Sequence, residues 1–107
     1  MIARSWRGLV KTEEADKYIR HLQNDTFPQL SRISGFVSAS VWRRPTARGV
    51  EFIVVTTWQS IDAIRRFAGE QADLAVVPPT ARAMMVKYDT TVAHYEIAAT
   101  FPETPSA

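Results

Sequence analysis

The stretch EFIVVTTWQSIDAIRRF, residues 51–67, decides the fold because it joins a strand pattern directly to a helix pattern. Its first part is rich in β-branched and aromatic residues, which predicts a strand over residues 50–58. Ser60 then stands where a side chain can cap a helix, and Gly69 follows the last apolar residue of the helical pattern. The sequence therefore predicts a strand that leads, after one short turn, into a helix over residues 60–68.

A first helix is predicted between an opening strand, residues 2–10, and Pro28. It carries an apolar stripe with the i, i+3, i+4, i+7 spacing of one helix face, formed by Ala15, Tyr18, Ile19 and Leu22. Pro28 lacks a backbone N–H, so we expect it to end or kink this helix. A second helical segment, capped by Asn24, Asp25 or Thr26, is expected to follow it.

The remaining segments complete the order βαββαβ. Residues 36–44 form a second strand that makes a hairpin with residues 50–58, and residues 91–98 form the last strand. Residues 70–77 are predicted as a short helix, and residues 80–86 as a further helical turn. The fold class is therefore α+β, ferredoxin-like, with an antiparallel sheet and both main helices on one face.

The strand pattern leaves apolar residues on both faces of this sheet. An antiparallel sheet with one wet face alternates apolar and polar residues, but Phe52 and Val54 point one way while Ile53 and Val55 point the other. Two helices cover only one face, so the sequence predicts that the second face packs on another copy of the chain, in a two-fold homodimer. The alternative is that a few apolar residues are simply exposed, as on most proteins.

Length and composition restrict the function classes. The chain has 107 residues, the size of one domain, and we expect a single domain over residues 1–98 and a flexible tail over residues 99–107. It has no cysteine, which excludes disulfides, thiolate metal ligands and thiol nucleophiles. With a net charge of +2, the scattered basic residues do not form the basic stripe that nucleic-acid binding needs.

Targeting signals and common catalytic motifs are not found in the sequence. No segment approaches the roughly 20 apolar residues of a membrane span, and residues 1–7 lack the apolar core of a signal peptide. Phosphate-binding glycine loops, zinc-binding HExxH motifs and nucleophile elbows are also absent. The sequence therefore predicts a cytoplasmic protein without a metal site, which binds neither membranes nor nucleic acid.

The βαββαβ order, the strand over residues 52–58 with the capped helix after it, and the closing segment VAHYEI, residues 92–97, resemble the antibiotic biosynthesis monooxygenase superfamily of dimeric α+β barrels. The likeness spans residues 2–98, and its most specific part is Trp58 followed by the capped helix. The superfamily contains cofactor-independent monooxygenases that form quinones, haem-degrading enzymes and members without a known reaction, so the fold does not choose among them.

The resemblance implies an oxygenase that uses no flavin, metal or haem. In such an enzyme a pocket between the sheet and the helices holds a flat phenolic or anthrone-like substrate, whose deprotonated form reacts with O2 directly. Trp58 matches the family's tryptophan at the end of the third strand and would wall this pocket. Trp6 stands near a polar first-strand position of the relatives, often asparagine, so this chain departs from the family there. Tyr18 would reach the same cavity from the first helix.

His94 is the candidate catalytic residue, as a base or a hydrogen-bond partner, because histidine titrates near neutral pH. An inert, hydrogen-bonded strand histidine is the alternative, and His21 is interpreted as a boundary residue of the first helix. Arg4 and Arg7 lie in the first strand, where an inward arginine would stabilise an anion and a rim position is the alternative. Haem-degrading relatives require an axial histidine after the second main helix, and residues 71–77 contain none.

These features support two function hypotheses. The first is a cofactor-independent monooxygenase acting on a small aromatic molecule, with Trp58, Trp6 and Tyr18 binding the substrate and His94 catalysing, without any cofactor. The second is a non-catalytic small-ligand-binding or stress-response dimer that uses the same pocket. Haem degradation is the weaker enzymatic alternative.

Overall fold

The computed structural model describes residues 1–102, which form five strands and four short helices. In chain order these are β1 (Ile2–Val10), α1 (Ala15–His21), α2 (Phe27–Ser31), β2 (Phe36–Thr46), β3 (Gly49–Trp58), α3 (Ile61–Ala68), α4 (Pro79–Arg82), β4 (Met85–Tyr88) and β5 (Ala93–Glu96). A 3₁₀ turn over Thr12–Glu14 precedes α1, and a π-helical turn over Leu22–Thr26 joins α1 to α2. None of the helices in the described residues is long and apolar enough to cross a membrane. Residues 103–107, the end of the predicted tail, lie outside the described residues.

β1 is the centre of one antiparallel sheet. The strand order is β2-β3-β1-β4, and β5 pairs with β1 as well. β4 pairs with residues 8–10 of β1, and β5 pairs with residues 2–5. Two short strands therefore share the position that one strand takes in a ferredoxin-like sheet. The predicted α+β fold, an antiparallel βαββαβ sheet with helices on one face, is confirmed.

The region between α3 and β5 differs from the prediction. Residues 70–77 form no helix but turns and a single bridge between Leu74 and Thr91. The predicted helical turn over residues 80–86 ends at Arg82, and the next residues pair as β4 with the free edge of β1. The helix over residues 70–77 is wrong, and the helical turn is confirmed only as far as Arg82, because contacts distant in sequence, which local patterns do not show, decide the conformation here.

Pro28 does not break the first helical region. The expected cap before it is not formed, because helical turns continue from α1 through Leu22–Thr26 into α2, and Thr26 makes no capping hydrogen bond. In a regular α-helix a proline clashes with the carbonyl four residues earlier. The wider π-helical turn accommodates this clash by placing Pro28 in the first turn of α2.

α3 begins and ends as predicted. Ser60 Oγ accepts a hydrogen bond of 3.2 Å from the backbone N–H of Ala63. Gly69, with a φ of 85°, follows the last helical residue and has the left-handed conformation that favours glycine. Ala63 and Ile64 are buried, so α3 is fixed on the sheet and its Phe67 has a defined position.

Two clusters of buried side chains lie between the sheet and the helices. The first includes Tyr18 of α1 and Phe52 of β3, and the second includes Trp58 of β3 and Ile64 of α3. Phe27 packs against both clusters. The core is therefore divided, and the division leaves room for a cavity beside Phe27.

The sheet face without helices, here called the outer face, carries an apolar patch. β3 places Ile53 and Val55 on it, since Phe52 and its neighbours at alternate positions face the helices. Trp42, which pairs with Ile53, is 55% exposed, and Tyr95 at the sheet edge is 60% exposed. Both faces of the sheet therefore carry apolar side chains, as the strand pattern predicts.

Candidate active site

A cavity of about 130 Å³ opens between the sheet and the helices. Aromatic rings from four elements wall it, namely Trp6 of β1, Tyr18 of α1, Phe27 of α2 and Phe67 of α3. Val76, in the segment 69–78 that follows α3, lines it as well. A single water occupies about 30 Å³, so this space is too large for a packing defect. An apolar, aromatic cavity with a few polar groups is typical of a small-molecule site.

Arg4 is the cation of the cavity wall. It projects from β1 toward the helices and is only 5% exposed. Its guanidinium donates hydrogen bonds to the carbonyls of Ala72 and Leu74, the latter at 2.9 Å, and lies 5.7 Å from the centre of the Phe67 ring. One buried cation thus ties the segment 69–78 to the sheet through two backbone carbonyls.

His94 completes the polar contacts of Arg4. Its Nε2 lies 3.0 Å from Nη1 of Arg4, and a guanidinium only donates, so Nε2 accepts and the ring proton is on Nδ1. Nδ1 faces Oδ1 of Asp73 at 3.6 Å. Burial and the positive charge of Arg4 lower the pKa of His94, although the Asp73 carboxylate opposes this. His94 is therefore a neutral acceptor at pH 7.

Burial also changes the acid–base properties of Arg4. Loss of hydration lowers its pKa to about 10, with the Asp73 carboxylate acting in the opposite direction. Because this value is still well above neutral, Arg4 remains a cation at pH 7. A poorly hydrated cation beside an apolar cavity is suited to stabilise an anionic oxygen of a ligand. Arg7, the other arginine of β1, is exposed.

Two of the three predicted binding residues line the cavity. Trp6 forms one wall, and its indole Nε1 donates a hydrogen bond of 2.8 Å to the carbonyl of Asp89. The ring of Tyr18 is buried, with its centre 6.5 Å from that of Trp6. Burial raises the pKa of the Tyr18 phenol, so its hydroxyl stays protonated near neutral pH and offers a hydrogen-bond donor.

Gly8 determines how closely the indole of Trp6 approaches β1. A Cβ atom built on Gly8 would overlap the six-membered ring of Trp6. The side chain of Trp6 therefore lies over the backbone of its own strand, where only glycine leaves room. This packing sets the orientation of the Trp6 wall.

Trp58 and His94 lie behind the cavity wall. Trp58 is fully buried, its Nε1 donates a hydrogen bond of 2.8 Å to Oγ1 of Thr56, and its ring stacks on that of Phe67 with centres 6.0 Å apart. Thr56 and Phe67 both line the cavity, so Trp58 supports the wall. His94 is separated from the cavity by Arg4, from which it accepts a hydrogen bond. The predicted ligand contact of Trp58 and catalytic role of His94 stay predictions.

His21 lines the cavity, although sequence reasoning assigned it only to a boundary. Its ring stacks on Tyr18, with centres 6.4 Å apart, and its Nδ1 lies 3.3 Å from Oδ2 of Asp25. The spacing of three residues from Tyr18 was the available signal, since it places both side chains on one helix face. His21 and Asp25 are not joined by a third side chain that could complete a metal site, because within residues 1–102 no group of three His, Asp or Glu side chains could hold a metal ion.

The sequence matches no protein-family model and no curated protein. The structure is similar to that of SnoaB, a cofactor-independent oxygenase from Streptomyces nogalater, with a TM-score of 0.66 and 20% identity over 95% of this chain and 97% of that one. It is also similar to the ActVA-Orf6 monooxygenase of Streptomyces coelicolor in complex with nanaomycin D, with a TM-score of 0.61 and 15% identity over 98% and 92% of the chains. This chain has the fold of the antibiotic biosynthesis monooxygenases.

A third similar structure with this fold binds a different ligand. It is MhuD with two manganese protoporphyrin IX molecules per active site, which has a TM-score of 0.67 and 16% identity over 94% of this chain and 97% of that one. The resemblance noted in the sequence is thus confirmed at the level of the fold. Because its similar structures hold different ligands, the fold leaves the reaction to be argued from this chain's own cavity.

The Arg4→Gln variant tests whether Arg4 holds the segment 69–78. Without the guanidinium the carbonyls of Ala72 and Leu74 lose their donors, which we expect to lower the free energy of unfolding by about 1–3 kcal/mol. Hydrogen exchange should become faster at the backbone N–H groups of Ala75 and Val92, which bond to Thr90 and Asp73. Arg7→Gln, on the same strand but exposed, is the matched control. Unchanged protection in Arg4→Gln would show that other contacts hold the segment.

The stability of the protein should depend on pH through His94. Its pKa is lowered in the folded state, so the unfolded chain binds a proton first as the pH falls below the ordinary histidine value of about 6.5. The stabilisation from neutral His94 is therefore present above this pH and is lost on acidification. Urea unfolding at pH 7 and pH 5 should show a smaller loss of stability in His94→Gln than in the wild type. An equal loss in both would contradict the assignment.

Proposed function

We propose that this chain is a cofactor-independent monooxygenase that oxidises a small, flat aromatic molecule with O2. The observation that carries the proposal is the aromatic cavity with a buried guanidinium in its wall. Aromatic walls favour a flat ring system, and Arg4 favours a ligand that develops negative charge on oxygen. SnoaB and the ActVA-Orf6 protein, described as an oxygenase and a monooxygenase, support this reaction class through their shared fold.

The reaction needs no external reductant. An anthrone loses a proton from its CH2 group, and the electron pair moves to the carbonyl oxygen to give an enolate. The electron-rich enolate is oxidised by O2, so the CH2 group becomes a C=O group while the second oxygen atom leaves as water. The substrate supplies four electrons and O2 accepts four, which balances the step without flavin, haem or metal.

The proposal gives each predicted residue a role. Trp6 and Tyr18 contact the substrate, while Trp58 holds the wall in place through Phe67. Arg4 stabilises the enolate oxygen, and His94 orients Arg4 by accepting its hydrogen bond. In this arrangement His94 is a hydrogen-bond partner, and its use as a base would first require Arg4 to release Nε2. The location in the cytoplasm stays a prediction.

Oxygen uptake with dithranol, an anthrone, in buffer containing a chelator tests the activity. The wild type should consume O2 faster than the spontaneous reaction. Ala81→Leu fills part of the cavity, since Ala81 is buried and lines it, and should slow uptake by about tenfold or more because the substrate is displaced. Ala83→Leu, exposed two residues further on, is the matched control. No uptake above the spontaneous rate in the wild type would refute the proposed reaction.

We also propose that the chain forms a homodimer through its outer face. Trp42, Ile53, Val55 and Tyr95 make this face apolar, while the helices cover only the opposite face. Two such faces packed together would remove the exposed rings from water without using the cavity, which opens on the helix side. The dimer and the active site are therefore compatible.

Native mass spectrometry checks the dimer. We expect a species of about 24 kDa, twice the 12.1 kDa of the chain. Val55→Glu places charges at the centre of the outer face and should give monomers, whereas Ala47→Glu, in the exposed β2–β3 turn, should leave the dimer intact. Wild-type protein that stays monomeric at tens of micromolar would remove the dimer proposal.

The alternative functions use the same cavity and are separated by the same measurements. Binding of emodin, an anthraquinone, without oxygen uptake on dithranol would favour a non-catalytic ligand-binding protein. Haem degradation would require a change in the Soret band when haemin is added, and the segment 69–78 offers no axial histidine. Stabilisation of an anionic reaction intermediate explains directly why a cation lies in the cavity wall. Neither alternative function explains it as directly.

A further inference from the structure

We propose that His21, oriented by Asp25, is the group that takes the proton from the ligand in the cavity. This inference rests on the proposed function and adds the missing base to it. It concerns residues of the first helical region that the family resemblance did not single out.

The cavity lining contains few groups that can titrate. Among the described residues that line it, these are Arg4, Tyr18 and His21, and none is a carboxylic acid. Arg4 is a cation at pH 7 because its pKa, though lowered by burial, is about 10. Tyr18 is a neutral phenol because burial raises its pKa. His21 is therefore the lining side chain that offers a basic nitrogen.

Two residues of the turn over Leu22–Thr26 contact His21. Oδ2 of Asp25 lies 3.3 Å from Nδ1, and a carboxylate near that nitrogen favours the tautomer with the ring proton on Nδ1 and the lone pair on Nε2. The hydroxyl of Thr26 lies 3.4 Å from Nε2, a long contact that a ligand can displace. Residues five apart are brought together here as in a π-helix, a feature often found at functional sites.

Burial differs between the two partners in a way that suits proton transfer. The side chain of His21 is 11% exposed, whereas that of Asp25 is 64% exposed. The ring therefore meets the ligand on the cavity side, while the carboxylate that stabilises its charged form is in contact with water. A proton taken up at Nε2 has a short route to solvent beside Asp25.

His94 does not offer the same chemistry. Its Nε2 lone pair is used by Arg4 at 3.0 Å, and Arg4 lies between it and the cavity. The two histidines thus have separate tasks, since His94 orients the cation and His21 accepts the proton.

The base and the cation are connected along the aromatic wall by Trp6 and Tyr18. Arg4 and Trp6 are neighbours on one face of β1, the Trp6 and Tyr18 rings are 6.5 Å apart, and the Tyr18 and His21 rings are 6.4 Å apart. A flat ligand along this wall would give its proton to Nε2 of His21. The electron pair left behind moves to the ligand oxygen, which the Arg4 guanidinium stabilises.

The first experiment measures proton transfer without oxygen. Emodin has an acidic phenol whose ionised form absorbs at longer wavelength. With wild-type protein we expect bound emodin to show the phenolate spectrum at a pH where free emodin is neutral. In His21→Gln, which keeps a polar side chain of similar reach, bound emodin should keep the neutral spectrum. Phenolate formation in His21→Gln equal to the wild type, or no binding to the wild type, would overturn the inference.

The second experiment measures turnover. Replacing a general base costs about 100-fold or more, so we expect kcat for dithranol oxidation to fall by at least that factor in His21→Ala. Free imidazole added to this variant should restore part of the rate, which no loss of folding or packing would allow. Full activity in His21→Ala, or a loss that imidazole does not relieve, would contradict the role of His21.

A matched pair of variants tests the orienting role of Asp25. Nitrogen NMR of the His21 ring should show the proton on Nδ1 in the wild type and a larger share on Nε2 in Asp25→Asn. Asp16→Asn, an exposed carboxylate two turns earlier, should leave the ring unchanged. The tautomer and the emodin spectrum do not depend on O2. If the wild type has the Nδ1 tautomer and gives the phenolate spectrum of emodin but consumes no O2, the proposed oxygenation is wrong. The assignment of His21 as the proton acceptor is then still supported.

Discussion

A guanidinium taken out of water needs acceptors on the protein side, because it cannot give up its charge near neutral pH. Arg4 finds them in the backbone carbonyls of Ala72 and Leu74 and in Nε2 of His94. These acceptors fix the segment 69–78, which has no helix or long strand of its own, against the sheet. The cavity wall, the position of His94 and the route of the chain from α3 to α4 all depend on this one buried charge.

The walls of the cavity are held by a second layer of contacts. Trp58 is fully buried, and it hydrogen-bonds Thr56 and stacks on Phe67, both of which face the cavity. The same side chains therefore form part of the core and support the cavity wall. A small chain with a divided core gains rigidity around the cavity by letting the same aromatic residues serve both purposes.

Prediction from sequence succeeded where local patterns decide the structure. The strand and capped helix around Trp58 follow from β-branched runs and the Ser60 cap. The apolar residues on both faces of the sheet follow from the lack of apolar–polar alternation along the strands. Residues 70–77 read as a helix because their local pattern does not show the distant Arg4 that binds their carbonyls. β4 was likewise missed because it depends on the free edge of β1.

The candidate site was predictable to a similar extent. Tyr18 lies on the helix face that periodicity assigns, so its place in the cavity wall could be anticipated, whereas the place of Trp6 followed only from the family resemblance. His94 sits on the helix-facing side of β5, opposite Arg4, but a strand position does not say which neighbour uses its lone pair. His21 and Asp25 are four residues apart, a spacing that brings side chains together on a helix, so their pairing could have been anticipated. The π-helical turn that brings Thr26 to His21 has no recognisable sequence pattern.

Gly8 has a consequence for the size of ligand that the cavity admits. The indole of Trp6 rests on the backbone at Gly8, and any larger residue there would push the ring off β1. Residue 8 does not line the cavity, yet it controls the width between Trp6 and the helices. Ligand selectivity is thus adjustable from outside the site: substitutions at one backbone position, without change to any contacting side chain, would alter which ring systems fit.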